Sequence, residues 1–164
     1  MQGTVVQINL SRGGVPKLPV EEALLTPHGI EGDLQAHPAI HGGILKAVLL
    51  ICAEAIDDLV ARGYPLYYGA MGENLTVAGL DRRLLRSGQR FRVGQALIEL
   101  TALRAPCSAL ERYGADLHKE LYDAAVKAGD PSSPCWAMGG FYASVIKSGL
   151  VRRRDIITLV EQLA

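Results

Sequence analysis

Hydrophobic and polar residues alternate, or hydrophobic residues run together, over several short segments of the chain, as is typical of β-strands. The alternation is imperfect but predicts a strand over residues 95–101, and a first strand is predicted over residues 4–10. Residues 47–52 are continuously apolar, which predicts a strand buried on both faces. Further short strands are predicted over residues 20–25, at 75–77, within 82–93, and as two strands joined by a turn at 139–151 and 155–159.

Two segments have the periodicity of amphipathic helices. Residues 53–62 carry an apolar stripe and are followed by Gly63, a residue that commonly ends helices. Residues 115–128 also carry an apolar face and are followed by Gly129. With at least six short strands and two helices, the chain predicts a strand-dominated fold, namely a closed or nearly closed β-barrel with helices at its ends.

Size and charge narrow the classes of function. The 164 residues are enough for one domain with a substantial core, and we expect a single domain over residues 1–164. The 17 basic and 17 acidic residues cancel, so the overall charge does not favour nucleic acid or a membrane surface as a partner. No apolar run approaches the roughly 20 residues of a membrane helix, and the N-terminus lacks a charged leader and apolar core. We therefore expect a cytoplasmic protein.

Three cysteines, an odd number without paired spacing, do not indicate a disulfide framework or the four thiolates of a usual iron–sulfur cluster. Cys52 lies within an apolar run and is interpreted as a core residue. Cys135 stands in a loop beside Trp136, where it is either a structural residue or a second thiol acting with Cys107. The residues around Cys107 are the ones that indicate a reactive thiol.

Cys107 follows a predicted strand and Pro106, which cannot donate to a sheet ladder and so ends strand pairing. Ser108 and Glu111 have the spacing of a capping box, which predicts that the thiol lies at the start of a helical turn. A thiolate is favoured at the positive end of such a turn and beside a guanidinium, here that of Arg104. The alternative is a small buried apolar residue, and the local sequence leaves both interpretations open.

Residues 27–43 contain four glycines, three histidines and an aspartate, a composition that packing alone does not explain. The spacing of His37 and His41 would suit two zinc ligands on a helix, but Pro38 and the following glycines argue against a helix there. An anion-binding nest of backbone N–H groups completed by a cation is a better interpretation, and a glycine turn with solvated histidines is the alternative. The residues of the predicted nest are His41, Gly42, Gly43 and Lys46.

Glu73 and Asn74 lie between a glycine turn and a short strand. A carboxylate beside an amide can orient a ligand or satisfy the backbone of its own loop, and the sequence does not distinguish these roles. The arginines of residues 82–92 are mostly interpreted as solvated, with one or two able to face an anion.

Taken together, these segments resemble the MOSC domain, the C-terminal module of molybdenum-cofactor sulfurases that also occurs as small stand-alone bacterial proteins. In two turns, Gln89 and Arg154 stand where the family often has Asp and Gly. Five segments in the family's order carry the resemblance, and they are Gly29-Ile30-Glu31-Gly32-Asp33 with His41-Gly42-Gly43 and Lys46-Ala47-Val48, Gly72-Glu73-Asn74-Leu75, Phe91-Arg92-Val93-Gly94, Arg104-Ala105-Pro106-Cys107, and Gly140-Phe141-Tyr142 through Gly149.

The resemblance implies a β-barrel of the MOSC type that binds a molybdenum cofactor or a sulfur–metal species, with Cys107 as the catalytic residue and molybdenum ligand or as a sulfur acceptor. A soft thiolate suits a thiol-rich metal centre, and backbone nests and arginines suit the phosphate of a pterin. Pyridoxal phosphate belongs to the separate desulfurase domain of the larger sulfurases, so no site for it is expected. The residues implied in holding cofactor or substrate are His41, Gly42, Gly43, Lys46, Glu73, Asn74 and Arg104.

Three functions follow from the resemblance and the residues. The first is a molybdenum-dependent reductase of N-hydroxylated bases, which acts on a small-molecule substrate and takes electrons from a flavin or iron–sulfur protein in trans. The second is a sulfur carrier that receives sulfur from a donor protein and holds it as a persulfide on Cys107. The third is a barrel that binds a ligand without chemistry.

Overall fold

The computed structural model describes residues 1–34 and 43–162. Strands dominate this part of the chain, as predicted. They are β1 (Gln2–Leu10), β2 (Leu18–Val20), β3 (Glu22–Thr26), β4 (Gly29–Ile30), β5 (Val48–Cys52), β6 (Leu75–Ala78), β7 (Gln89–Val93), β8 (Ala96–Leu103), β9 (Phe141–Lys147), β10 (Gly149–Arg152) and β11 (Ile156–Gln162).

Seven strands close into a barrel in the order β11-β7-β8-β9-β5-β6-β1, because β1 also pairs with β11. β2 extends the sheet outside the barrel, beside β1, and β10, β3 and β4 form a separate three-stranded sheet. β5 and β6 run parallel, whereas the other neighbours in the barrel are antiparallel. The prediction of a closed, strand-dominated barrel is therefore confirmed.

Burial along the strands follows from this arrangement. In β8, buried Ala96, Ile98 and Leu100 alternate with partly exposed residues, since one face points into the barrel and the other outward. All five residues of β5 are buried, because the helix that follows the strand packs on its outer side. The continuous apolar run at 47–52 was thus a correct indication of a strand covered on both faces.

The first predicted helix is confirmed as α1 (Ala53–Ala61), whose chain leaves through Gly63 at φ 97°. The predicted helix at 115–128 is wrong, because the segment forms two short helices, α2 (Leu117–Leu121) and α3 (Ala124–Lys127). Tyr122 between them is extended, and the Asp123 side chain accepts from Val126 N at 2.7 Å and so begins the second helix. Within the described residues, none of the helices has the length and apolar character needed to span a membrane.

Two further predictions need correction. The predicted strand over 139–151 is interrupted at Ser148, so β9 and β10 are separate strands in different sheets. The predicted capping box at Ser108 and Glu111 is absent, because Ser108 is the first residue of a 3₁₀ helix, Ser108–Tyr113, rather than its cap. Cys107 occupies the cap position, in extended conformation and without a side-chain cap hydrogen bond.

The turns that contain Gln89 and Arg154 differ from each other in how their backbone is accommodated. Gln89 is buried and closes its turn with its side chain, accepting from Arg86 N at 2.9 Å and donating to Leu84 O at 3.0 Å. Arg154 has φ 74°, a left-handed conformation that a glycine would adopt without strain. Gln89 therefore satisfies its turn by hydrogen bonding, whereas Arg154 leaves its turn strained.

Candidate functional site

A cavity of about 530 Å³ lies where several loops meet at the barrel. Three segments supply most of its described lining, at residues 14–17, 71–74 and 104–109. The remaining lining residues are Leu34, Lys46, Leu49 and Tyr142. The structure therefore brings Lys46, Asn74, Arg104 and Cys107 to one cavity, although the sequence separates them widely.

The thiol and the guanidinium are placed by the end of β8. Arg104 is the first residue after the strand, and its backbone N–H donates to Gly140 O at 3.0 Å. Its Nη2 donates to Met71 O at 3.1 Å and lies 3.8 Å from Cys107 Sγ. Pro106 stands between the two residues, outside the strand ladder, and Cys107 is partly exposed to the cavity.

Arg104 is only 4% exposed, and its Nε and Nη1 have no hydrogen-bond partner within the described chain. A buried guanidinium with unused donors carries a desolvation cost that a nearby negative charge would offset. The wall beside the thiol is therefore electropositive and favours an anionic group in the cavity.

Asn74 lines the cavity while holding its framework together. Its Oδ1 accepts from Leu49 N at 3.1 Å, and its Nδ2 donates to Asp33 Oδ2 at 2.9 Å and to Asn9 O at 3.3 Å. The Asn74 amide thus satisfies backbone groups of two neighbouring segments and forms part of the cavity wall, whereas a role in orienting a ligand stays a prediction.

Sequence reasoning missed a buried ion pair behind this wall, between Lys17 and Asp33. The Asp33 carboxylate also accepts from Ser11 N at 2.8 Å. A lysine 16 residues before an aspartate is no recognisable motif, and only the folded loops show that the two meet. The indirect signal was the presence of Asp33 in the glycine-rich segment at 27–33.

Glu73 lies behind the cavity rather than in its lining. It is fully buried, and its Oε1 accepts from Gly69 N and, at 3.2 Å, from Thr76 Oγ1, while its Oε2 has no partner in the described chain. Burial raises the pKa of the Glu73 carboxyl, and these hydrogen bonds and the positive charge of Arg104 only partly oppose the increase. Its visible role is to hold the loop that carries Met71.

The Lys46 ammonium lies 5.3 Å from the centre of the Tyr142 ring, within the range of a cation–π contact. Burial raises the pKa of the Tyr142 hydroxyl, and Arg104 opposes this increase. Gly43 has φ 99° just before the 3₁₀ helix that carries Lys46. His41 and Gly42 lie outside the described residues, so the predicted anion nest stays a prediction, as does the disfavoured zinc site of His37 and His41.

The other two cysteines lie elsewhere. Cys52 is buried, and burial raises the pKa of its thiol to about 12, so it is unreactive at neutral pH. Cys135 does not line the cavity, and its Sγ lies 3.5 Å from Lys119 O. Residues 1–34 and 43–162 contain no group of three His, Cys, Asp or Glu side chains placed to hold a metal ion.

A second hollow, of about 660 Å³, lies between α1 and residues 79–83. Two of its lining cations have partners nearby, since Arg62 pairs with Asp58 and Arg82 donates to Pro134 O at 3.0 Å. Unlike the cavity beside Cys107, it has no buried donor lacking a partner among the described residues.

Several known proteins are similar to this chain in sequence and in fold. A sequence model of the MOSC domain matches residues 37–158. The uncharacterized protein YflK of Bacillus subtilis is 34% identical over 143 residues, which cover 84% of this chain and 59% of that protein. Protein YiiM of Escherichia coli is 31% identical over 158 residues, covering 92% of this chain and 65% of that protein. The chain thus spans less than two thirds of the length of both relatives.

Solved structures show the same fold. The crystal structure of YiiM from Geobacillus stearothermophilus has a TM-score of 0.72 at 26% identity, covering 97% of this chain and 75% of that chain. The crystal structure of a hypothetical protein has a TM-score of 0.75 at 28% identity, covering 100% of this chain and 70% of that chain.

Proposed function

Because the chain belongs to the MOSC domain family, we propose that its cavity binds a molybdenum cofactor, with the Cys107 thiolate as the molybdenum ligand. We further propose that the protein is the cofactor-binding component of a system that reduces N-hydroxylated compounds. The observation that carries the proposal is the partly exposed Cys107 thiol beside the buried Arg104, 3.8 Å from Nη2 to Sγ, at the wall of one cavity.

The residues present fit such a group. A cavity of about 530 Å³ is in the size range of small-molecule sites, and a soft thiolate suits molybdenum held by other sulfur atoms. The Nε and Nη1 donors of Arg104 lack partners among the described residues, and the charge they carry suits an anionic cofactor.

When bound, the cofactor supplies the redox chemistry, which the twenty side chains lack. Cys107 contributes the thiolate, and Arg104 stabilises negative charge beside it. Asn74 holds the loop on which Met71 and Gly72 form part of the wall. His41 and Gly42 are proposed to contribute backbone and imidazole donors, with Lys46 as the neighbouring cation.

Reduction of an N–OH group to N–H consumes two electrons and two protons and releases water. We propose that a flavin or iron–sulfur protein in trans supplies the electrons. A cytoplasmic location, where thiols stay reduced, is part of the same proposal.

The test is elemental analysis of protein purified from a host that makes the cofactor. We expect about one molybdenum per chain in the wild type and loss of the metal in Cys107→Ser, because serine replaces the soft ligand with a hard one. Cys135→Ser, which removes a thiol outside the cavity, is the matched control and should retain the metal. Absence of molybdenum from the wild type, or its full retention in Cys107→Ser, would overturn the proposal.

A second candidate is a sulfur carrier, favoured by the partial exposure of the Cys107 thiol to a cavity open to a donor. A persulfide on Cys107 of metal-free protein, detected by mass spectrometry and absent from Cys135, would favour this function. If Cys107→Ser changed neither cofactor content nor phenotype, the result would favour the third function, a barrel that binds a ligand without carrying out chemistry.

A further inference from the structure

We propose that Asp33 is the positioning residue that sets the charge and the shape of this cavity, although Asp33 does not itself line it. The inference rests on the proposed function only in taking the cavity as the ligand site. It assigns a role to an ion pair, Lys17–Asp33, that lies behind the wall rather than at the thiol.

The carboxylate of Asp33 joins several segments of the chain. Asp33 Oδ1 accepts from Ser11 N at 2.8 Å, which fixes the end of β1. Asp33 Oδ2 accepts from Asn74 Nδ2 at 2.9 Å and pairs with the Lys17 ammonium. The backbone of the next residue repeats the first contact, because Leu34 N donates to Ser11 O at 2.8 Å.

These contacts continue into the cavity wall. Lys17 N donates to Gly69 O at 2.9 Å, so the segment at 14–17 is held against the loop that leads to Asn74. Asn74 in turn exchanges hydrogen bonds with Leu49 of β5, through its backbone N at 2.8 Å and its Oδ1 at 3.1 Å. Asp33 therefore links two lining segments, through Lys17 and Asn74, that these hydrogen bonds also join to each other and to the barrel.

Asp33 also affects the charge of the cavity lining. The cations of the described lining are Lys17, Lys46 and Arg104, and none of the described lining residues is acidic. The side chains of Lys17 and Asp33 are only 9% and 5% exposed, so water screens their attraction poorly. Asp33 therefore cancels the charge of Lys17, and the cavity presents less positive charge than its lining residues indicate.

It follows that Asp33 determines which ligands the cavity prefers. With the carboxylate present, the wall at 14–17 offers a neutral pair, and the uncancelled lining cations are Arg104, next to the thiol, and Lys46. Without the carboxylate, Lys17 would offer a second positive charge, and the cavity would favour ligands carrying more negative charge.

The experiment uses the full metal-free chain and measures the alkylation rate of Cys107 by site-resolved mass spectrometry. The probes are iodoacetate, which is negative, and iodoacetamide, which is neutral. The ratio of their rates reports the potential in the cavity, since a change of shape or stability alone affects both reagents. Cys135, outside the cavity, is the internal control in every sample.

Asp33→Asn should raise the iodoacetate-to-iodoacetamide ratio at Cys107 roughly two- to fivefold, the change expected when one more uncancelled positive charge lines a partly screened cavity. Lys17→Met, which leaves the carboxylate without its cation, should lower the ratio by a similar factor. The double variant should return to the wild-type ratio, and the ratio at Cys135 should stay constant throughout.

Opposite shifts in the two single variants support the proposal. An unchanged ratio in Lys17→Met, or shifts of the same sign in both variants, would overturn it. If Asp33→Asn does not fold, Lys17→Met still decides, because Asp33 retains its contacts with Ser11 and Asn74 there. The measurement involves no metal, so a negative molybdenum result would reject the proposed cofactor and leave this inference to stand or fall by itself.

Discussion

The Arg104 guanidinium lies against the Cys107 thiol, with Nη2 3.8 Å from Sγ, and protein atoms alone hold it there. The same Nη2 donates to Met71 O, and the Arg104 backbone donates to Gly140 O. Met71 thus holds the guanidinium, and Gly140 holds the backbone that carries it. Such a preorganised charge beside a soft nucleophile lowers the cost of bringing an anionic ligand to the thiol.

Replacing Arg104 with Met should lower the molybdenum content of the protein without much change in its free energy of unfolding. The variant loses the charged hydrogen bond to Met71, worth about 1.5–3 kcal/mol, and the attraction between Arg104 and the Glu73 carboxyl. It also removes a buried charge with two donors that lack partners in the described chain, and the relief of that desolvation cost opposes the loss. We therefore expect the free energy of unfolding of the metal-free protein to change by less than about 1 kcal/mol in urea titrations, while molybdenum content falls. Arg92→Met, at an exposed position of β7, is the control and should keep the metal. A strongly destabilised Arg104→Met would show that the guanidinium is chiefly structural.

Replacing Glu73 with Gln should remove a pH dependence of stability. Burial raises the pKa of this carboxyl above its ordinary value of 4.5, so the folded protein holds the proton more tightly than the unfolded chain. The stability from this group is therefore fully present below about pH 4.5 and is lost as the pH rises through the folded-state pKa. Glutamine does not ionise, and Glu73→Gln should gain stability relative to the wild type as the pH is raised.

Urea denaturation at a series of pH values from about 4.5 upward checks this expectation, because the loss begins once the pH exceeds the ordinary pKa of the carboxyl. Glu31→Gln, at an exposed position, is the control for removing a surface carboxylate. A stability difference between Glu73→Gln and the wild type that stays constant with pH would contradict the prediction.

Replacing Gly140 with Ala should destabilise the protein, because the added Cβ collides with the backbone beside the site. Gly140 has φ 84°, and a Cβ there would lie 2.2 Å from Leu50 O, so the strand pairing and the Arg104–Gly140 hydrogen bond cannot both remain. We expect a loss of about 3 kcal/mol or more, from left-handed strain and overpacking together. Gly129→Ala is the matched control, since Gly129 has φ 80° and open space around it, and should cost about 1 kcal/mol in the same thermal or urea titration. Equal losses in the two variants would contradict the steric argument.

Replacing Arg154 with Gly should stabilise the protein. Arg154 has φ 74°, a conformation that costs an ordinary L-residue roughly 1 kcal/mol relative to glycine. The variant should therefore unfold at a higher temperature in calorimetry. Arg153→Gly is the control, because Arg153 donates to Glu21 at 3.0 Å and to Val6 O at 3.3 Å, and its loss should not stabilise. A lower melting temperature for Arg154→Gly would show that its side chain contributes more than the strain costs.

The barrel was predictable because its signals are local. Strand periodicity and the apolar run of β5 are visible in consecutive residues, and Pro106 marks where the sheet ends and the thiol begins. The broken helix was not predictable in the same way. Leu117, Leu121 and Val126 are buried on both sides of the break, so the apolar pattern continues although the backbone does not.

The burial of Arg104 and the Lys17–Asp33 ion pair could not be predicted from the sequence, because both arise from contacts between segments that are distant in the chain. The burial of Arg104 follows from carbonyl groups at Met71 and Gly140, far away in sequence. The pairing of Lys17 with Asp33 likewise exists only once the β1–β2 turn has packed against the glycine-rich segment. Local sequence and family resemblance both pointed to Cys107, whereas the ion pair behind the cavity wall forms only in the folded chain.

The pairing of β1 with β11 has a consequence for how the molecule is made. Gln2 pairs with Thr158 and Thr4 with Ile156, so the barrel is sealed by strands from opposite ends of the described chain. The entropy cost of closing so long a loop must be met by contacts already formed, and contacts this remote slow folding. During synthesis, β1 has only β2 and β6 as partners until β11 leaves the ribosome. The loops around Cys107 are thus translated before the strand that seals the barrel supporting them.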